Sequence, residues 1–248
     1  MNQIWSYSLV SVAIVSLISL IGIWTLSIKL EKMRKFLIFM LAFSAGALLG
    51  DTFIHIFPEM SDFGFTLSSA IYVLLGIVIF FIIEKFINWQ HCHMPITKQH
   101  AHPFAYINLI GDSLHNFIDG LIIAASYLVN IPLGVATTLA VVLHEIPQEI
   151  GDFGIMIHGG FSKGKALWLN FVTALTAILG AIVALLIGNN VGNISSILLP
   201  IAAGGFIYIA GADLIPELHK ETAIKRSLMQ LFAFLLGITV MVLLLLIE

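Results

Sequence analysis

Apolar residues in this chain gather into runs about 20 residues long, near 5–28, 36–57, 67–87, 104–129, 132–157, 166–188, 194–215 and 227–247, separated by short polar connections. At 1.5 Å of rise per residue, about 20 apolar residues in a helix cross the ~30 Å hydrocarbon core of a bilayer. The pattern therefore predicts an all-α integral membrane protein with eight transmembrane helices, in one domain covering 1–248. Composition agrees: 10% of residues are charged and the mean hydropathy is +1.04, against about 25% charged in a typical soluble domain.

The positions of the charges orient the helices. All 11 lysines and arginines fall in or beside the first, third, fifth and seventh connections, and the other three connections have none. The positive-inside rule then puts both termini outside the cytoplasm. No basic residue precedes the first apolar run, so that run is read as a retained span instead of a signal peptide. A single cysteine, Cys92, excludes an intrachain disulfide. The net charge of −3 gives no reason to expect a nucleic-acid partner.

Laid over each other at an offset of 158, spans 2 and 7 match at Ala45-Gly46 with Ala203-Gly204 and at Pro58-Glu59 with Pro216-Glu217. Span 2 runs outward and span 7 inward. The match suggests that spans 1–3 and 6–8 form an inverted repeat around spans 4 and 5, an arrangement found in transport folds.

Spans 4 and 5 depart from the apolar pattern. Between Phe104 and Ile157 lie five carboxylates (Asp112, Asp119, Glu145, Glu149, Asp152) and the histidines His115 and His144, with no lysine or arginine. Each uncompensated carboxylate at bilayer depth costs about 2.5–3.5 kcal/mol, so the five together would cost roughly 12–17. A cation, protonation or a water-filled path would remove that cost. At ~100° per residue, Asn108, Asp112, His115, Asn116 and Asp119 share a single helix stripe, and His144, Glu145, Gln148, Glu149 and Asp152 share another. His115 with Asp119, and His144 with Gln148, are i, i+4 pairs that can reach one ion from successive turns. Pro147 has no amide hydrogen and frees the carbonyl of Leu143 inside this region, so a kink is expected there. Imidazole, carboxylate and carboxamide together suit a borderline divalent ion such as Zn²⁺, and also accept Fe²⁺, Mn²⁺ or Cd²⁺. The loop at 88–103 adds His91, Cys92, His93, His100 and His102, a set suited to loose metal capture.

Through His115-Asn-Phe-Ile-Asp-Gly120, His144-Glu-Ile-Pro-Gln-Glu-Ile-Gly-Asp152 and the span 2 stretch Gly50 to Glu59, the sequence resembles the ZIP family of divalent metal transporters. Within that family it is similar to the group whose fifth helix carries an HExPHExGD motif. The resemblance implies a transport site from His115, Asp119, His144 and Gln148, with Asn116 and Glu145 beside it. It further implies supporting or exit-path roles for Asp112, Glu149, Asp152 and His158, and entrance or release roles for Asp51, His55, Glu59, Asp213 and Glu217. Also implied are a homodimer, a plasma (inner) membrane location, the metal as substrate in place of a bound cofactor, and movement of a four-helix unit holding spans 4 and 5. Two departures bear on selectivity. Gln148 stands where the motif has its second histidine, and Ala177 stands where some relatives place a sixth-helix glutamate. A rival reading, an intramembrane zinc hydrolase built on His144-Glu-Ile-Pro-Gln148, meets the same glutamine and a proline inside what would be the HExxH helix.

Overall fold

Each apolar run folds as a helix, because a chain in hydrocarbon can satisfy its own amides and carbonyls only within the segment. The computed structural model describes residues 2–22, 30–62, 64–88, 103–158, 160–190 and 195–246. Helix α1 spans Asn2–Ile18 and ends in a 3₁₀ turn at Ser19–Ile21; α2 begins as Leu30–Gly50; α3 is Leu67–Asn88; α4 is Pro103–Val129; α5 is Ile131–His158. Helix α6 runs as Lys163–Ala174 and Thr176–Asn190, α7 begins as Ser195–Tyr208, and α8 is Ile224–Leu244. Among the described residues there is no strand.

Six of these helices are long and apolar enough to cross a membrane. The eight-span expectation therefore meets a difference at α4 and α5. At 27 and 28 residues they are among the longest helices, yet the polar stripes expected from the sequence lower their hydropathy. Most of those stripes face inward. Asp112, Asn116, Asp119, His144, Glu145 and Glu149 are buried, whereas large apolar side chains such as Leu74, Phe81, Leu231 and Phe232 stand exposed on α3 and α8. Outward apolar and inward polar is the polarity expected of a protein solvated by lipid.

Helices α2 and α7 each widen into a π turn, at Asp51–Ile56 and Ile209–Leu214, before continuing as Phe57–Asp62 and Ile215–His219. In both, a proline follows two residues on, Pro58 and Pro216. A proline ring crowds the carbonyl four residues earlier, and a wider turn relieves that contact. At Pro147 the freed carbonyl has a partner: Ser44 of α2 donates its hydroxyl to Leu143 O at 2.5 Å. The proline break inside α5 is thus held by the neighbouring helix.

Small residues set the helix separations, as expected where packing replaces the hydrophobic effect. The tightest crossing joins α4 to α6. A Cβ built on Gly120 would lie 1.9 Å from Ala177 O, and one on Gly180 would lie 1.9 Å from Phe117 O.

Candidate metal site

On α4, positions 108, 112, 115, 116 and 119 turn their side chains toward α5, and all five are buried. The α5 positions 144, 145, 149 and 152 are buried too, with Gln148 half-buried. His115, Asp119, His144 and Glu145 converge, each offering one ligand atom, with all four atoms within 4.8 Å of one another. His115 Nε2 lies 3.2 Å from His144 Nε2. Asp119 Oδ2 lies 3.6 Å from His115 Nε2 and 3.1 Å from His144 Nε2. Glu145 Oε1 lies 3.4 Å and 3.5 Å from the same two nitrogens.

These are five of the six edges of a tetrahedron. Zinc bonds of 2.0–2.2 Å at tetrahedral angles imply edges of roughly 3.3–3.6 Å. The spacing therefore suits a single ion with four protein ligands. Outer contacts aim the donors. His144 Nδ1 donates to Ala140 O at 3.2 Å, which fixes the tautomer and turns the Nε2 lone pair toward the cluster. The edge of Phe80 packs on His115 and Phe206 on His144, with ring centroids 5.5 Å and 6.2 Å apart. Neither oxygen of Asp119 or Glu145 has a hydrogen-bond partner. Four convergent acceptors without a dedicated donor are costly to bury, and a cation removes that cost.

The other sequence-predicted residues lie on two cavities or away from both. Gln148, Asp112, Asp152 and Asp213 line a cavity of about 130 Å³ that reaches His115. Gln148 thus stands on the approach to the cluster, and Glu145, expected in a neighbouring position, takes a place among the converging donors. Asn116 turns its amide to Asp112 Oδ1 at 2.8 Å, Asn108 donates to Asp152 Oδ1 at 2.9 Å, and Glu149 accepts from Asn170 Nδ2. His55 and Glu59 line a second cavity beside Asn130; Asn130 donates to Glu59 Oε2 at 3.2 Å and His55 Nε2 contacts Met241 O at 2.9 Å. Asp51 is buried at the start of the α2 π turn. Glu217 is exposed and paired with Lys220. The His158 side chain and the loop residues His91, Cys92, His93, His100 and His102 lie outside the described residues.

Three contributors went unnoticed in the sequence. Glu84 and Tyr208 share the first cavity, with the tyrosine hydroxyl donating to the glutamate, and Asn170 is wholly buried on α6. Glu84 sits beside Lys85 at the end of an apolar run and looks like an ordinary interfacial pair. Asn170 did carry a signal, as an asparagine inside an otherwise apolar span.

The decisive comparison is with protein families. The ZIP Zinc transporter family matches residues 2–105 and 90–245, which together cover nearly the whole chain. The chain belongs to the ZIP family. ZIP relatives include zinc transporter zipt-7.1 of Caenorhabditis briggsae, 35% identical over 86% of this chain and 72% of its own length. Zinc transporter ZIP13 of Pongo abelii is 36% identical over 82% of this chain, and zinc transporter SLC39A7 of Canis lupus familiaris 29% identical over 97%. The chain spans 65% of ZIP13 and 71% of SLC39A7. The ZIP family consists of transporters, not enzymes, so the hydrolase reading has no support from its relatives.

Proposed function

We propose that this ZIP protein carries a divalent metal, with Zn²⁺ the first candidate and Fe²⁺, Mn²⁺ and Cd²⁺ as alternatives, into the cytoplasm through the site between α4 and α5. The observation that carries this reading is the set of five tetrahedral edges linking His115, Asp119, His144 and Glu145. A hydrolase would need Glu145 free to act on water, whereas here its carboxylate oxygen is one of the converging donors. On this reading α4 and α5 complete eight spans, since their polar stripes face the bundle and not lipid. Basic connections put both termini outside the cytoplasm, in the plasma (inner) membrane.

The inverted repeat gains support from three features. The 158-residue offset carries the π turn at Asp51–Ile56 onto the one at Ile209–Leu214. Gly46 approaches Phe234 O on α8, and its counterpart Gly204 approaches Val73 O on α3. Gly237 approaches Phe43 O and Gly76 approaches Ile201 O, which makes the α2–α8 and α3–α7 crossings reciprocal. In this topology the cavity holding Glu84 and Asp213 opens to the cytoplasm and reaches His115, while the His55 cavity faces outside. Alternating access then amounts to exchanging which cavity reaches the cluster. One π turn borders each cavity, where local α-to-π rearrangement is least costly. The unit that moves holds α4 and α5, within a homodimer.

The test is metal-competition flux in reconstituted vesicles. Zinc uptake inhibited in order by the other divalent ions supports transport, and hydrolysis of peptide without ion flux would overturn it. Gln148→His, by placing an imidazole on the cavity wall, should tighten zinc binding and raise zinc selectivity over manganese. Unchanged competition would remove Gln148 from the ion path. Deleting residues 91–102 should change the rate or regulation of uptake yet leave basal transport measurable, since the four donors all lie outside that segment.

A further inference from the structure

Beside the histidine cluster lies a second group of buried polar atoms, on α4, α5 and α6. Asp112, Asn116, Glu149 and Asn170 are 4%, 0%, 1% and 0% exposed. They form two amide–carboxylate pairs: Asn116 Nδ2 donates to Asp112 Oδ1 at 2.8 Å, and Asn170 Nδ2 donates to Glu149. Each pair keeps a buried oxygen on both partners with no hydrogen-bond donor, namely Asp112 Oδ2, Asn116 Oδ1, Glu149 Oε1 and Asn170 Oδ1. The two pairs meet on α6. Glu149 faces Asn170, the Thr173 hydroxyl one turn on faces Asp112, and Asp112 is the acid that acts most strongly on Glu149.

Two carboxylates with one amide donor each, and no lysine or arginine between Phe104 and Ile157, leave oxygens that cost about 1–3 kcal/mol apiece to bury unpaired. All four donors are oxygens. Carboxylate and carboxamide oxygens without nitrogen or sulfur select hard divalent ions, Mg²⁺, Ca²⁺ or Mn²⁺, over zinc. The amides also supply the means of loading: half a turn about the last side-chain torsion of Asn116 or Asn170 exchanges the nitrogen now facing the carboxylate for an oxygen.

We infer that Asp112, Asn116, Glu149 and Asn170 form a second cation site, all of oxygen and built for a hard divalent ion, separate from the histidine site and adjoining it. This inference rests on the transport reading and adds a second station with different ion preference. Asn170 gives α6 a donor even though Ala177 carries none.

The test uses the purified full chain in detergent, titrated with MnCl₂ and followed by loss of the free Mn²⁺ electron paramagnetic resonance signal, with zinc binding measured on the same preparations. Glu149→Gln and Asn170→Leu should weaken Mn²⁺ binding at least tenfold while zinc affinity stays within about threefold; His144→Ala should do the converse. Asn170→Asp, which adds a third carboxylate, should tighten Mn²⁺ binding at least tenfold and keeps the test decisive if the leucine variant does not fold. Mn²⁺ binding that ignores Glu149→Gln and Asn170→Asp, or that disappears with His144→Ala, overturns the second site. Zinc binding that ignores His144→Ala overturns the transport site instead, and leaves the Mn²⁺ result to be judged separately.

Discussion

Replacing His144 with alanine should reduce zinc uptake into vesicles by about 100-fold or more, since altering even the outer partners of metal ligands costs 10–100-fold. His144 Nε2 takes part in three of the five short edges, to His115, Asp119 and Glu145. Its loss leaves three donors, two of them carboxylate oxygens 0% exposed at the residue level, with less positive or donor character to face. His115→Ala should act in the same direction. His144→Gln keeps a neutral donor on a chain of similar reach and should retain a measurable fraction of flux, which separates a ligand role from simple filling of space. Circular dichroism and a monodisperse elution profile check that the bundle persists. Full uptake in both alanine variants would remove the cluster from the transport path.

How far the site was legible follows from what helical spacing can carry. Residues at i, i+4 and i+7 announce a stripe, so His115, Asp119, His144 and Glu145 could all be named before any coordinates. Spacing does not say which atoms of two facing stripes meet. That depends on helix rotation and separation, which are set by contacts such as Gly120 against Ala177, far along the chain. Hence Glu145 joins the converging donors while Gln148 lines the approach. The same limit hid Asn170, whose role exists only because α6 packs on α4 and α5. At α2 and α7 the aligned prolines foretold paired distortions, and only the backbone tells that they take the form of π turns. Hydropathy failed where chemistry is densest: α4 and α5 read less like spans because they hold the ion's ligands.

Gly120→Ala should destabilise the protein by an amount at the top of, or above, the ~1–3 kcal/mol typical of overpacking. Helix propensity alone predicts the opposite sign, because alanine is favoured over glycine by about 1 kcal/mol in a helix interior. The collision decides it. A Cβ at 120 would lie 1.9 Å from Ala177 O, 2.6 Å from Ala177 C and 2.9 Å from its Cα, all backbone atoms that cannot rotate aside. Relief requires α4 and α6 to part by an ångström or more, and the reciprocal contact of Gly180 with Phe117 O blocks sliding as a remedy. Gly164→Ala is the matched comparison: nothing lies within 4 Å of its Cβ position, so the same chemical change should be neutral or mildly stabilising. Thermal unfolding in one detergent compares the two directly. Because Asp119 adjoins Gly120, parting the helices also moves a metal donor, and zinc affinity should fall along with the melting temperature. A Gly120→Ala protein as stable as Gly164→Ala would mean that the last residue of His115-Asn-Phe-Ile-Asp-Gly120 serves the chemistry of the motif and not the packing that aims it.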